Sequence, residues 1–293
     1  MNRAQGLLLL LLSAVWGSSF LFMRIASSEF GAVPLIFVRV VGAALCLSFV
    51  WMKASERRLL IGYWKHLLVV GIVGSALPFS LLSFATLSLE SGLTSLLNAT
   101  TPLFAALVGF AWIRSPLSLK QFSGLILGFI GVAILSWDRL DFTGESGDGW
   151  SVLAGLGAGA SYGFATHYSK RFLSEVPSAT VAAGSMLGGS IAIFPLGLLL
   201  WPEVTPSVKA WSCALGLAIP CTAVAYLIFF RLLAKMGATL VSTVTYVIPV
   251  FAVVWGAYFL GEIISVRIVV GMVVTLMGTS LVIGVWSTQK QGE

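Results

Sequence analysis

Residues 93–109 read LTSLLNATTPLFAALVG, and residues 240–256 repeat much of that pattern as LVSTVTYVIPVFAVVWG. The correspondence extends without a gap over residues 69–135 and 216–282, and it places a proline on a proline and several glycines on glycines. Each of these residue types constrains the backbone, so their coincidence in one register is more informative than matches between apolar side chains. The sequence therefore predicts an internal repeat.

The composition indicates a membrane protein. Of the 293 residues, 58% are hydrophobic and 10% are charged, whereas a soluble domain carries about 25% charged residues. A helix needs about 20 apolar residues to cross a bilayer. Ten runs of this kind cover residues 6–25, 32–52, 66–88, 92–112, 119–137, 149–169, 179–200, 210–233, 238–260 and 266–286. We therefore predict an all-α membrane protein with ten transmembrane helices.

The distribution of Lys and Arg predicts how these helices are oriented. With a cytoplasmic N-terminus, twelve cations fall on the cytoplasmic side and four on the other, in agreement with the positive-inside rule. Both termini are then cytoplasmic, and a repeat of five helices inverts the second half relative to the first. The predicted organisation is a first five-helix repeat at 1–137, an outward-facing acidic linker at 138–148, a second five-helix repeat at 149–287 and a cytoplasmic tail at 288–293.

An inverted repeat is typical of transporters that work by alternating access, because two equivalent halves can exchange conformations around a central site. The sequence contains no nucleotide-binding P-loop, metal-ligand cluster or catalytic triad, so no enzymatic activity, cofactor or metal site is expected. The net charge of +6 is explained by membrane orientation, and no nucleic-acid partner is expected. The expected partners are a small-molecule substrate and the lipid bilayer, with a monomer and a homodimer both open.

Several motifs resemble those of a known family. Residues 14–20, AVWGSSF, followed by Arg39, and residues 249–251, PVF, followed by Leu-Gly-Glu at 260–262, resemble the ten-helix EamA-type members of the drug/metabolite transporter superfamily. The resemblance covers nearly the whole chain, although residues 114–116 read Arg-Ser-Pro where Gly-Glu is usual after the fourth helix.

This resemblance implies a transporter of the bacterial inner (plasma) membrane that exports small metabolites. It also implies that the first four helices of each half line the pathway. Within the family, the chain is most similar to the bacterial amino-acid exporters, those for aromatic amino acids in particular. A multidrug or other metabolite efflux transporter on the same fold is the alternative.

The distribution of charge within the predicted spans restricts the substrate and the energy source. No Asp or Glu lies in the middle of a span, and proton-coupled exporters commonly carry the proton on a buried carboxylate. We therefore expect facilitated diffusion or exchange. No cluster of Lys or Arg lies at the membrane centre, as a phosphorylated substrate would require. The substrate is expected to be neutral or zwitterionic and moderately apolar.

The candidate binding residues are hydroxyl, amide and aromatic side chains, many of which recur in both repeats. A serine or threonine in a spanning helix often bonds to its own backbone, and tryptophan or tyrosine often marks the membrane interface. Each single residue therefore also has a structural explanation. The predicted substrate-binding set is Trp16, Ser19, Phe79, Ser83, Ser95, Asn98, Tyr162, Thr166, Tyr226, Ser242, Thr245 and Tyr246, and the predicted helix kinks are Pro78, Pro102, Pro220 and Pro249.

Two ionisable residues have either a gating or a structural role. Arg39 lies about two turns inside the second predicted helix, where a charge is costly. It either binds a substrate carboxylate or gates the pathway, or it snorkels or pairs with a helix C-terminus or an acid such as Glu90, and we favour the structural role. His167, near the cytoplasmic end of the sixth predicted helix, is expected to be a hydrogen-bonded interfacial residue rather than a proton relay.

Overall fold

The structure is a computed structural model, and it describes residues 3–142, 148–236, 241 and 243–284. Its helices, numbered along the chain, are α1 (Arg3–Phe30), α2 (Ala32–Cys46), α3 (Ala54–Gly62), α4 (Trp64–Ser88), α5 (Ser91–Ile113), α6 (Leu119–Arg139), α7 (Asp148–Phe172), α8 (Ser178–Leu199), α9 (Val208–Met236), α10 (Val244–Leu260) and α11 (Val266–Ile283). Ser242, residues 143–147 of the predicted linker and the predicted tail at 288–293 lie outside the described residues.

Most of these helices have the length and composition of membrane spans. Within the described ranges, seven are long and apolar enough to cross a bilayer, namely α1, α4, α5, α6, α8, α9 and α11. The apolar helices α2 and α10 are shorter, with 15 and 17 residues. Helix α7 is continuous over 25 residues, but glycines and hydroxyl side chains interrupt its apolar sequence. The protein is therefore a helical, multi-pass membrane protein.

The helices pack in combinations that correspond between the two predicted repeats. Helix α1 contacts α9 and α10, and α7 contacts α4 and α5. Helices α2 and α8 pack against each other, as do α6 and α11. A Cβ on Gly17 would lie 3.1 Å from the backbone nitrogen of Ala252, and one on Gly163 would lie 2.7 Å from that of Ala105. Glycine lets the two backbones approach closely at both of these crossings.

Helices α4 and α9 each contain a π-helical turn, at positions that the repeat aligns. The turns cover Ile72–Ala76 and Ile219–Val224. A π-turn inserts one extra residue and disturbs the backbone hydrogen-bond ladder, and side chains here bond to carbonyl groups at the turns. Ser161 of α7 donates to a carbonyl oxygen of the α4 turn at 2.6 Å. In α9, the Thr222 hydroxyl donates to the carbonyl oxygen of Leu217 at 2.8 Å.

Helices α5 and α10 end in the same left-handed backbone conformation. The residue at this position is Arg114 after α5, with a φ of 58°, and Gly261 after α10, with a φ of 68°. In both cases the next amide, that of Ser115 or Glu262, donates to the carbonyl oxygen six residues earlier at 3.2 Å. This conformation costs a residue with a Cβ atom roughly 1–2 kcal/mol. Helix α5 therefore ends in the same way as α10, but with the strained backbone of Arg114 in place of a glycine.

Replacing Arg114 by glycine is expected to stabilise the protein by about 1 kcal/mol, because glycine adopts this conformation without strain. The thermal unfolding midpoint of the purified protein in detergent would measure the change. Arg231→Gly is the matched control, since Arg231 is exposed in the interior of α9, where glycine is expected to destabilise by about 1 kcal/mol. A lower midpoint for Arg114→Gly would contradict the assignment of strain.

Charged side chains hold one end of the helix bundle together, and we call it the ionic end. The Glu262 carboxylate, just after α10, accepts hydrogen bonds from the amide and the hydroxyl of Ser91 at 2.9 and 3.0 Å. It thereby joins α10 to the first turn of α5, where a negative charge is also favoured by the helix dipole. The ion pairs at this end are Arg139 with Glu90 and Asp148, and Arg267 with Asp138.

Candidate functional site

The candidate site is centred on Arg39, whose side chain is 4% exposed within the helix bundle. Its Nε donates to the hydroxyl oxygen of Thr222 at 2.9 Å, and its Nη1 lies 3.8 Å from the sulfur of Met23. The guanidinium carbon lies 3.7 Å from the ring centroid of Phe79. Arg39 is thus held by helices α1, α4 and α9, which belong to both predicted repeats.

Phe79 belongs to one of two aromatic pairs that correspond in the predicted repeat. Phe79 of α4 contacts Tyr162 of α7 edge-on, with ring centroids 6.3 Å apart. Trp16 of α1 contacts Tyr226 of α9 in the same way, at 6.4 Å. Tyr162 and Tyr226 lie close enough to Arg39 to interact with it electrostatically. We call Arg39, Thr222 and these four aromatic residues the Arg39 site.

The surfaces of the Arg39 site are not fully covered by protein. Phe79 is buried, with 6% of its surface exposed, but Trp16, Tyr162 and Tyr226 are only partly buried. These three residues therefore keep some accessible surface. Aromatic rings next to a charged group suit a ligand with one apolar part and one polar part.

Five predicted binding residues carry buried oxygen atoms without a hydrogen-bond partner among the described residues. They are the hydroxyls of Ser19, Ser83, Ser95 and Tyr246 and the side-chain carbonyl of Asn98. A buried polar atom is normally paired, so these hydroxyls do not follow the expected bonding to their own helix. Ser19 lies between Trp16 and Met23 on one face of α1, and Met23 contacts Arg39. That face of α1 therefore points toward the Arg39 site.

Other predicted binding residues lie elsewhere. Thr166 is exposed, and its hydroxyl donates to the carbonyl oxygen of Tyr162 in its own helix at 2.8 Å. Tyr246 lies against Thr279 of α11, at a contact between helices. Thr245 is partly buried. Among the described residues, the Ser95 hydroxyl and the Asn98 side-chain carbonyl form no hydrogen bond with Arg39, and Ser242 lies outside the described residues.

The four predicted kink prolines occupy three kinds of position. Pro220 lies inside the π-turn of α9, and Pro78 follows the π-turn of α4 by two residues. Pro102 follows a turn at residues 99–100 that interrupts α5. Pro249 lies inside α10, which continues through it. Pro220 thus lies within, and Pro78 just after, the turns that precede Tyr226 and Phe79.

His167 and Arg39 differ in their surroundings. The Nε2 atom of His167 lies 2.8 Å from the carbonyl oxygen of Ala105, within the α5–α7 contact. A Cβ on Gly109 would lie 3.2 Å from the same ring. His167 therefore joins two helices. Within the part of the chain that the structure describes, the Arg39 side chain bonds to side chains and not to a backbone carbonyl, and Glu90 pairs with Arg139.

Comparison with known proteins places this fold in a family. The sequence model of the EamA-like transporter family matches residues 4–137 and 149–284. The chain belongs to this family. Transport, rather than catalysis, is accordingly the general activity of the group to which this EamA-like protein belongs.

Curated relatives cover nearly the whole EamA-like chain. An uncharacterized transporter of Archaeoglobus fulgidus is 26% identical over 96% of this chain and 98% of its own length. A probable terminal-alkyne amino-acid exporter of Streptantibioticus cattleyicolor is 23% identical over 94% and 91%. One solved crystal structure matches over 96% of both chains, with a TM-score of 0.63 and 17% identity. This last likeness shows the fold alone.

Two residues of the site were not predicted from the sequence of this EamA-like transporter. The sequence pattern did not indicate Thr222, which bonds to Arg39 across 183 residues of sequence, or Met23, which contacts the guanidinium group. The available signal was that Thr222 lies one turn before Tyr226 and therefore on the same helical face. Met23 carries no comparable signal, because a methionine in an apolar run is usually a packing residue.

Proposed function

We propose that this protein exports amino acids, aromatic and other neutral ones, or similar small amphipathic metabolites across the bacterial inner membrane. The observation that carries the proposal is the Arg39 site, where helices from both predicted repeats bring together aromatic rings, a buried cation and hydroxyl groups. A site of this composition matches a small molecule with an apolar side chain and polar backbone groups. A relative that is a probable exporter of an unusual amino acid supports the same substrate class.

The proposed mechanism is alternating access between two inverted five-helix repeats. Three observations support it: the matched helix contacts, the aligned π-turns of α4 and α9, and the separate family matches at residues 4–137 and 149–284. The distribution of Lys and Arg supports cytoplasmic termini. In that orientation the ionic end faces outward.

The proposed energy source is the substrate gradient itself, by facilitated diffusion or exchange. Proton antiport through a buried acid needs a titratable carboxylate within the pathway. The described acids instead lie at helix ends or in connections, and several of them bond to cations or helix N-termini there. Arg39 also disfavours the alternative of multidrug efflux for cationic dyes, because it would repel them.

Liposomes that contain the purified protein and are loaded with labelled phenylalanine, tryptophan or threonine are expected to release these amino acids faster than loaded liposomes without the protein. Release should not depend on an imposed pH gradient, and it should be accelerated by unlabelled substrate on the opposite side if exchange occurs. Ethidium loaded in the same way should be retained. Dye efflux without amino-acid efflux would contradict the proposal, and accumulation driven by a pH gradient alone would contradict the energy source.

A further inference from the structure

We infer that Arg39 is the residue that binds the carboxylate of the substrate, so that transported molecules must carry a carboxylate. This inference rests on the proposed function and assigns the central cation of the same site to one chemical group. It starts from the burial of a guanidinium group that lacks an acidic partner among the described residues.

Six of the described acids form bonds to residues other than Arg39. Ion pairs at the ionic end use three of them, and three more bond to serine or threonine residues at helix N-termini: Glu29 to Ser207, Glu56 to Thr180 and Glu262 to Ser91. Breaking a buried ion pair by removing one partner is strongly unfavourable, because an uncompensated charge remains. A membrane protein that keeps such a charge in its interior usually uses it. The substrate supplies the missing anion.

The guanidinium group also has hydrogen-bonding capacity to spare. Arginine has five N–H donors in a planar fork, and the structure shows one of them bonded to the Thr222 hydroxyl and another facing the Met23 sulfur, a weak acceptor. The Phe79 ring centroid lies 3.7 Å from the guanidinium carbon, and a ring over the plane does not use the N–H groups along its edge. A carboxylate matches that edge with two parallel hydrogen bonds.

The surrounding side chains fit the rest of such a molecule. The partly buried rings of Trp16, Tyr162 and Tyr226 offer surfaces on which an apolar side chain can stack. The unpaired hydroxyl of Ser19, on the face of α1 that meets Arg39, can accept a hydrogen bond from an ammonium group. The ammonium contact is to a neutral hydroxyl, whereas the carboxylate contact is between opposite charges. Loss of the carboxylate should therefore weaken binding more than loss of the ammonium group.

The first test uses the unchanged protein. We expect 3-phenylpropionate, which keeps the carboxylate, to compete with labelled phenylalanine for efflux and to raise the thermal unfolding midpoint. Phenethylamine and phenylalaninol, which lack the carboxylate, should need about 10- to 100-fold higher concentrations for the same competition. This factor corresponds to the usual strength of a charge-assisted hydrogen bond. Equal competition by phenylalanine and phenylalaninol would overturn the inference while leaving amino-acid transport intact.

The second test uses Arg39→Gln and Arg39→Lys, with Arg231→Gln as the matched control for loss of a positive charge at an exposed position. Arg39→Gln should lose the midpoint shift with 3-phenylpropionate, and Arg39→Lys should keep part of it. Arg231→Gln should behave as the unchanged protein. An undiminished shift in Arg39→Gln would overturn the inference. A shift that depends on Arg39 in a protein without amino-acid efflux would uphold the carboxylate site and reject the proposed function.

Discussion

Replacing Gly278 by valine is expected to leave little or no correctly folded protein. Gly278 lies where α11 crosses α6, and a Cβ there would lie 2.5 Å from the Cα of Gly128 and 2.7 Å from the carbonyl oxygen of Gly124. These are backbone atoms, so no side-chain rotation can relieve the overlap. The two helices would have to separate, and we expect a loss of about 3 kcal/mol or more.

Size-exclusion chromatography of the detergent-solubilised protein, followed by a thermal unfolding scan, would measure this effect. Met277→Val is the matched control, because Met277 is the adjacent residue of the same helix and 54% of its surface is exposed. It should give a single sharp peak and a midpoint close to that of the unchanged protein. A monodisperse Gly278→Val protein with an unchanged midpoint would contradict the packing of α6 against α11.

Replacing Trp16 by alanine is expected to reduce amino-acid efflux by about tenfold or more. The Trp16 ring packs against Tyr226, with centroids 6.4 Å apart, and against Phe229 at 5.5 Å. Its removal takes away an aromatic surface that we place beside the substrate, and it lets Tyr226 move away from Arg39. A ring of this size contributes both buried area and directed aromatic contacts.

Liposome efflux of labelled phenylalanine measures this change, with Trp16→Phe and Trp137→Ala as the two comparisons. Trp16→Phe keeps an aromatic surface and should retain most of the efflux. Trp137 is 73% exposed at the end of α6, so Trp137→Ala removes a tryptophan far from the site and should leave efflux unchanged. Equal losses in the Trp16→Ala and Trp137→Ala proteins would reject a direct role for Trp16.

The apolar helices were predictable because the bilayer imposes a length and a composition that a single sequence displays. Each predicted run coincides with a helix over most of its length. The sequence did not predict α3, a short polar helix whose residues resemble an ordinary charged connection. It also did not predict the π-turns, since Pro78 and Pro220 fit a simple kink equally well. The sequence did not predict the left-handed backbone conformation of Arg114, because that conformation is typical of glycine.

The site was predictable only in part, because its geometry depends on contacts between distant segments. The repeat singled out Trp16, Phe79, Tyr162 and Tyr226, and the structure joins them in two pairs, one of which contacts Arg39 through Phe79. The surroundings of Arg39 itself could not be deduced, because helix periodicity fixes the face of a residue but not the neighbouring helix. Pairing with Glu90 was one of several structural alternatives for Arg39, and in the structure Glu90 pairs with Arg139.

The extra residue in each π-turn gives the two halves a way to change shape at small energetic cost. When such a turn moves along a helix, each residue that it passes rotates by about 100° about the helix axis, while the residues beyond it keep their orientation and few hydrogen bonds are exchanged. Phe79 lies three residues beyond the turn of α4, and Tyr226 lies two residues beyond the turn of α9. A turn that passed Phe79 would rotate that ring away from the guanidinium group, and a turn that passed Tyr226 would do the same in the other half. A shift of two or three residues in helix register would therefore be enough to remodel the aromatic surface around Arg39.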